Sequence, residues 1–61
     1  MNSSSNPTPA EIKQAREAAG LTPPKAAALV HRSARYWQLL EAGERPVDLA
    51  VWELFLLKTA K

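Results

Sequence analysis

Signals that start and stop helices stand close together in this chain of 61 residues, and their spacing most constrains its fold. A start signal is a Ser, Thr or Asp whose side chain can accept a free backbone N–H of the first turn. A stop signal is a glycine suited to a left-handed backbone. The start signals are Thr8, Thr22, Ser33 and Asp48, and the stop signals are Gly20 and Gly43. The chain shows no strand alternation and no repeat, so the sequence predicts an all-α fold of four short helices.

Apolar periodicity and proline positions place these helices along the chain. Pro9 and Pro23 each suit the first helical position, and Glu11 can complete a capping box with Thr8. The predicted helices run from Pro9 to just before Gly20, from Pro23 to near Val30, from Ala34 to Ala42 and from Leu49 to about Thr59.

Length and composition predict one domain, residues 8–61, after a polar Ser/Asn-rich segment over residues 1–7. We expect that segment to be a disordered tail, with an arm lying on a partner as the alternative. A chain without Cys has no disulfide, so its stability must come from tight helix packing or a second subunit. The polar start and the short apolar runs predict a cytoplasmic protein with no membrane segment. One His and no Cys predict no metal and no cofactor.

The positive charge is concentrated in the middle of the chain, although the formal net charge is only +2. Lys25, Arg32 and Arg35 fall within eleven residues that contain no acidic residue, and His31 lies among them. Such a segment is typical of a surface that faces phosphates. A solvated charged surface remains an alternative at this point.

The segment from Ala26 to Glu41 has the layout of a helix, a turn of about three residues and a second helix. On the second helix, Trp37, Leu40 and Glu41 share one side, which we expect to face inward. The residues predicted to face outward are Ala34, Arg35, Gln38 and Leu39. An exposed helix of this kind fits the major groove of DNA, where its side chains can reach base edges.

The stretch LTPPKAAALVHRSARYWQLLEAG, residues 21–43, resembles the helix-turn-helix of the lambda-repressor-like (Cro/C1-type) DNA-binding proteins. The matching positions are Arg16, Gly20, Leu21, Thr22, Ala27, Ser33 and Glu41-Ala42-Gly43, and the similarity covers about residues 8–58. Three positions depart from the family pattern. His31 replaces the usual turn glycine, Arg32 replaces an apolar residue and Pro23 replaces a frequent Gln, whose side-chain contact is lost.

The resemblance implies a role for individual residues. Arg16 and Glu41 would form a buried structural ion pair between the first and third helices. The base-reading positions fall on Ala34, Arg35, Gln38 and Leu39. The phosphate-binding positions fall on Lys25, Arg45 and either Ser33 or Tyr36, and Arg32 would also point outward to phosphate.

The fourth helix is apolar on more than one face. One stripe contains Leu49, Trp52 and Leu56, and another contains Val51, Leu54 and Phe55. So short a chain cannot cover both stripes, which predicts a homodimer with Trp52, Phe55 and Leu56 near its interface.

The resemblance further implies a small stand-alone regulator similar to those of phages and mobile elements, including the anti-CRISPR-associated type. We expect a repressor that binds a palindromic operator as a homodimer. In proteins of this kind the operator often lies in their own operon. Its partners would be double-stranded DNA and a second copy, with no membrane and no small-molecule ligand. The alternative is an antitoxin-like or anti-CRISPR-like module that binds a protein. An enzyme is disfavoured, because the chain offers no nucleophile with a base and no phosphate loop.

Overall fold

The computed structural model describes residues 7–60, and this part of the chain forms four helices joined by short loops. They are α1 (Pro9–Ala18), α2 (Pro23–Leu29), α3 (Ala34–Ala42) and α4 (Leu49–Thr59). The predicted all-α, four-helix fold is therefore confirmed. The predicted tail lies outside the described residues, apart from Pro7.

Every helix begins at the capping residue expected from the sequence. Thr8 forms a capping box, in which its Oγ1 accepts the Glu11 backbone N–H at 3.1 Å and its own N–H donates to Glu11 Oε1 at 2.8 Å. Thr22, Ser33 and Asp48 accept backbone N–H groups in the first turns of α2, α3 and α4. These bonds satisfy donors that have no partner within a helix, so they fix where each helix starts.

The turn between α2 and α3 is tight because one of its residues adopts a left-handed backbone. His31 has a φ of 60°, and the Arg32 N–H donates to the Ala27 carbonyl at 2.9 Å. Gly20 and Gly43, with φ of 72° and 78°, end the first and third helices in the same way. A His at such a position carries some backbone strain that a glycine would not.

The core lies where α2, α3 and α4 meet under α1. Ala26 and Ala27 are 0 % exposed, and their small side chains let α2 pack closely against α3. Trp37 and Phe55 fill the centre, with ring centroids 5.0 Å apart and tilted by 46°. The buried core residues are Ile12, Ala26, Ala27, Val30, Trp37, Leu40, Val47, Val51 and Phe55.

The structure shows which apolar stripe of α4 is internal. Val51 and Phe55 are buried, whereas Leu56 and Leu57 are 45 % and 75 % exposed. The ring of Phe55 packs against Trp37 and is 0 % exposed, so this side chain belongs to the core of the single chain. That Trp52, Phe55 and Leu56 lie near a dimer interface stays a prediction.

Candidate nucleic-acid interface

A compact ion-pair network holds α3 in position against α1. Arg16 Nε donates to Glu41 Oε2 at 2.6 Å, and a second guanidinium nitrogen donates to Glu41 Oε1 at 3.2 Å. The third nitrogen of the same group donates to the Leu21 carbonyl at 3.0 Å. Trp37 Nε1 donates to Glu41 Oε2 at 2.6 Å. The network therefore joins α1, the loop after it and α3 through side chains that are mostly buried.

The protonation states of this pair follow from its contacts. Burial disfavours the charged form of Glu41, but the hydrogen bonds from Arg16 and Trp37, together with the Arg16 charge, outweigh it, so the pKa of Glu41 lies below its ordinary value. The hydrogen bond to Glu41 raises the pKa of Arg16 despite the opposing effect of burial. Both groups are thus charged at neutral pH, and the pair acts as a structural clamp.

The side of α3 opposite this clamp faces solvent. Trp37 and Leu40 are each 1 % exposed and point into the core. Arg35 and Gln38 are exposed, and Ala34 and Leu39 are half-buried beside them. The four residues predicted to read bases therefore share one accessible surface, although their contact with bases stays a prediction.

A shallow hollow of about 380 Å³ lies beside this surface and contains most of the predicted DNA-binding residues. Its lining residues are His31, Arg32, Ser33, Arg35, Tyr36, Leu39 and Arg45. Three of these are arginines and none is acidic. Among residues 7–60, the salt bridges of the structure involve Arg16 with Glu17 and Glu41. The positive charge of the hollow is therefore not neutralised by that part of the chain.

Tyr36 lies at the centre of the contacts in this hollow. The guanidinium carbons of Arg32 and Arg45 are each 5.2 Å from the centroid of its ring, within the range of a cation–π contact. The Tyr36 hydroxyl oxygen accepts the Asp48 backbone N–H at 3.4 Å. Tyr36 thus contacts the turn before α3 and the loop after it.

The remaining predicted phosphate-binding residues have different surroundings. Ser33 lines the hollow, but its hydroxyl oxygen already accepts the Tyr36 backbone N–H at 3.1 Å as the cap of α3. Lys25 is exposed on α2 and does not line the hollow. The structure therefore brings together Arg32, Ser33, Tyr36 and Arg45, and leaves Lys25 apart.

Two residues at exposed surfaces were not predicted from the sequence. His31 lines the hollow, whereas the sequence placed it in the positively charged segment and in the turn without assigning it a role at the site. Within residues 7–60, Leu57 is the most exposed of the large apolar side chains, and its place at the end of an apolar run gave no indication of its orientation.

Residues 7–60 contain no cluster of His, Cys, Asp and Glu suited to a metal ion. None of their helices combines the length and the apolar character that a transmembrane segment requires. Neither finding bears on the hollow, whose lining includes three arginines and no acidic residue.

A sequence profile described as a helix-turn-helix domain matches residues 10–56, which span all of α2 and α3 and most of α1 and α4. A search of curated proteins finds no match.

Proposed function

Since the chain belongs to the helix-turn-helix domain family, we propose that this DNA-binding protein is a repressor that occupies a palindromic operator as a homodimer. The observation that carries the proposal is the division of α3 into two sides. Trp37 and Leu40 are buried in the core, and Arg35 and Gln38 are exposed next to a hollow lined by arginines. A helix presented in this way fits the major groove.

Base recognition is assigned to the exposed side of α3. Arg35 is suited to a bidentate contact with O6 and N7 of guanine, the commonest specific contact in the major groove. Gln38 lies one turn further along and matches the donor and acceptor of adenine. Ala34 and Leu39 offer apolar surface to a thymine methyl group.

Phosphate binding is assigned to residues around the two ends of α3 and to α2. Arg32 and Arg45 are exposed in the cationic hollow, where Ser33 and Tyr36 add hydroxyl groups, and Lys25 is exposed on α2. These contacts would orient the protein on the duplex without reading its sequence. They also make binding depend strongly on salt, because each neutralised phosphate releases counterions.

The homodimer is proposed from the exposed apolar surface of α4. Leu49, Leu56 and Leu57 are 39 %, 45 % and 75 % exposed, and Trp52 is half-buried beside them. A second copy packing its α4 on this surface would remove these side chains from water. A two-fold dimer also places two recognition helices for half-sites about 34–36 Å apart.

The DNA-binding part is tested by a gel-shift titration on the DNA upstream of the protein's own gene, with a duplex of the same composition but scrambled sequence as control. We expect tighter binding to the upstream DNA and a steep loss of affinity with salt for both duplexes. A reporter gene placed behind that DNA should fall in expression when the protein is present, which would place the operator in the protein's own operon. No shift at low salt with any duplex would refute DNA binding.

The dimer is tested by sedimentation equilibrium of the full chain and a Leu57→Lys variant. Leu57 is 75 % exposed, so the substitution should separate the subunits without unfolding the domain. Circular dichroism of the variant checks that the helices remain. A wild-type protein that stays monomeric at concentrations above those used for DNA binding would rule out the dimer.

The same apolar surface supports a second candidate function, a module that binds another protein. Such a partner would contact Leu56 and Leu57 rather than the arginines of the hollow. Binding through apolar area responds weakly to salt, whereas binding to DNA responds steeply. Salt dependence of the physiological complex therefore distinguishes the two functions.

A further inference from the structure

We infer that Tyr36 is a positioning residue, whose ring holds Arg32 and Arg45 together as one pair that binds a single backbone phosphate. The inference rests on the proposed DNA-binding function and assigns its effect to the ring of Tyr36, not to its hydroxyl group. It begins from two equal contacts, since each guanidinium carbon lies 5.2 Å from the ring centroid.

The two arginines are far apart in sequence and come from segments without helical structure. Arg32 belongs to the turn between α2 and α3, and Arg45 belongs to the loop between α3 and α4, thirteen residues later. Because both guanidinium carbons lie 5.2 Å from one ring centroid, the distance between them is at most twice that value. Arg32 and Arg45 also line the same hollow, so the ring and the hollow are common to both side chains.

Tyr36 is suited to this task because it is itself well fixed. It lies on α3, its side chain is half-buried against the core, and its backbone N–H donates to the Ser33 cap. Its hydroxyl oxygen accepts the Asp48 N–H, which joins it to the far end of the loop that carries Arg45. A ring held in this way is a fixed point of contact for both guanidinium groups.

Two positive groups held near each other repel, and no carboxylate lines the hollow to offset this. An anion placed between them would be attracted by both and could accept hydrogen bonds from each guanidinium group. A side chain that is already held against the ring loses less conformational entropy in the complex. The occupant that fits this chemistry is the phosphodiester group of a DNA strand.

Two substitutions separate the ring from the hydroxyl group. Tyr36→Phe keeps the ring and removes the oxygen, and Tyr36→Leu keeps apolar bulk and removes the ring face. On a duplex of random sequence, we expect Tyr36→Leu to bind about tenfold more weakly than wild type, because the two guanidinium groups are no longer held for the phosphate. Tyr36→Phe loses only the hydroxyl group assigned to phosphate binding, and we expect it to lose clearly less affinity than Tyr36→Leu. The dependence of affinity on salt should also become less steep in Tyr36→Leu.

A second measurement does not involve DNA and separates positioning from a loss of stability. In the free protein, nuclear magnetic resonance should show the δ-protons of Arg32 and Arg45 shifted by the ring in wild type and in Tyr36→Phe, and unshifted in Tyr36→Leu. Arg45→Ala should weaken binding less in the Tyr36→Leu background than in wild type, because the pair is already separated. Urea unfolding of each variant gives the folded fraction used to correct its affinity.

The outcomes that oppose the inference differ from those that oppose the proposed function. Equal weakening by Tyr36→Phe and Tyr36→Leu would assign the effect to the hydroxyl group and overturn the inference. Arginine resonances that do not move in Tyr36→Leu would overturn it as well, whether or not DNA binds. A wild-type protein that binds no duplex would instead refute the proposed function, and the phosphate-binding part of the inference with it.

Discussion

Arg16 and the three arginines of the hollow have the same side chain in two different environments, one buried and paired, the other exposed to solvent. Arg16 directs all three guanidinium nitrogens at acceptors of the same chain, two on Glu41 and one on the Leu21 carbonyl. Arg32, Arg35 and Arg45 are exposed and line a hollow without an acidic residue.

This difference distinguishes charged residues that stabilise the fold from charged residues that are available for binding, even in so small a domain. A buried cation must have its hydrogen bonds and its charge satisfied internally, because burial without a partner is costly. An exposed cation can remain without a partner, and several of them together form a surface that attracts an anion. The clamp and the hollow therefore respond to different experiments, one to measurements of stability and the other to measurements of binding.

The largest expected effect is on the clamp. Glu41→Gln leaves the Arg16 charge buried without its carboxylate, which typically costs about 3–5 kcal/mol. We expect the low end of this range, because the side chains of Arg16 and Glu41 are still 12 % and 16 % exposed. A hydrophobic core of this size supplies a free energy of unfolding of about 3–5 kcal/mol, so the expected loss is comparable to the whole stability. Urea unfolding followed by circular dichroism should show a variant that is largely unfolded.

Glu17→Gln is the matched control for this variant. Glu17 is also near Arg16, at 4.0 Å, but its side chain is 56 % exposed. Exposed pairs contribute about 0–1 kcal/mol, so this variant should unfold close to the wild-type urea concentration. Similar losses in both variants would contradict the view that burial makes the Arg16–Glu41 pair important.

The next effect concerns base recognition on α3. Arg35→Ala should lose about 1–3 kcal/mol of discrimination at one base pair of the operator, while its stability changes little because the side chain is exposed. The measurement is a set of affinities for operators that carry each of the four base pairs at each position. An unchanged base preference would refute the assigned contact even with the fold correct.

Arg45→Ala should act on the hollow without changing sequence preference. We expect weaker binding to all duplexes and a salt dependence whose slope falls by about 1, as for one lost phosphate contact. Lys13→Ala removes the same charge from an exposed position on α1 outside the hollow and serves as the control. If both variants lose affinity equally, net charge rather than the hollow determines the binding.

The smallest effect is the pH dependence of the clamp. Because the pKa of Glu41 is lower in the folded protein than its ordinary value of 4.5, the unfolded state binds more protons. The stability from this group is present above pH 4.5 and is lost as the pH falls toward the lower folded pKa. The urea unfolding free energy of the wild-type protein should therefore fall over this range. An unfolding free energy that stays constant down to pH 3 would contradict the lowered pKa.

Much of the fold follows from capping and turn residues that can be identified in the sequence. Thr8, Thr22, Ser33 and Asp48 start the four helices because each cap needs only the backbone of the next turn. The left-handed backbone of His31 could also be expected, because the family that the chain resembles has a glycine at this position.

The candidate site was predictable in part. The exposed side of α3 follows from helical periodicity once Trp37 and Leu40 are taken as internal, and the structure places them there. The common support of Arg32 and Arg45 by Tyr36 could not be predicted, because it depends on the path of the loop after α3. From the sequence, these three residues were predicted as separate phosphate contacts.

By itself, therefore, the sequence determined where each helix begins and ends, and which side of α3 faces inward. These features depend on hydrogen bonds and periodicity within a few residues. Only the tertiary structure decided that Phe55 is internal while Leu57 is exposed, and that two arginines distant in sequence both contact one ring. The physical reason is that burial and long-range contacts depend on how helices pack together, and a helix with apolar residues on several faces does not specify which of them the core will cover.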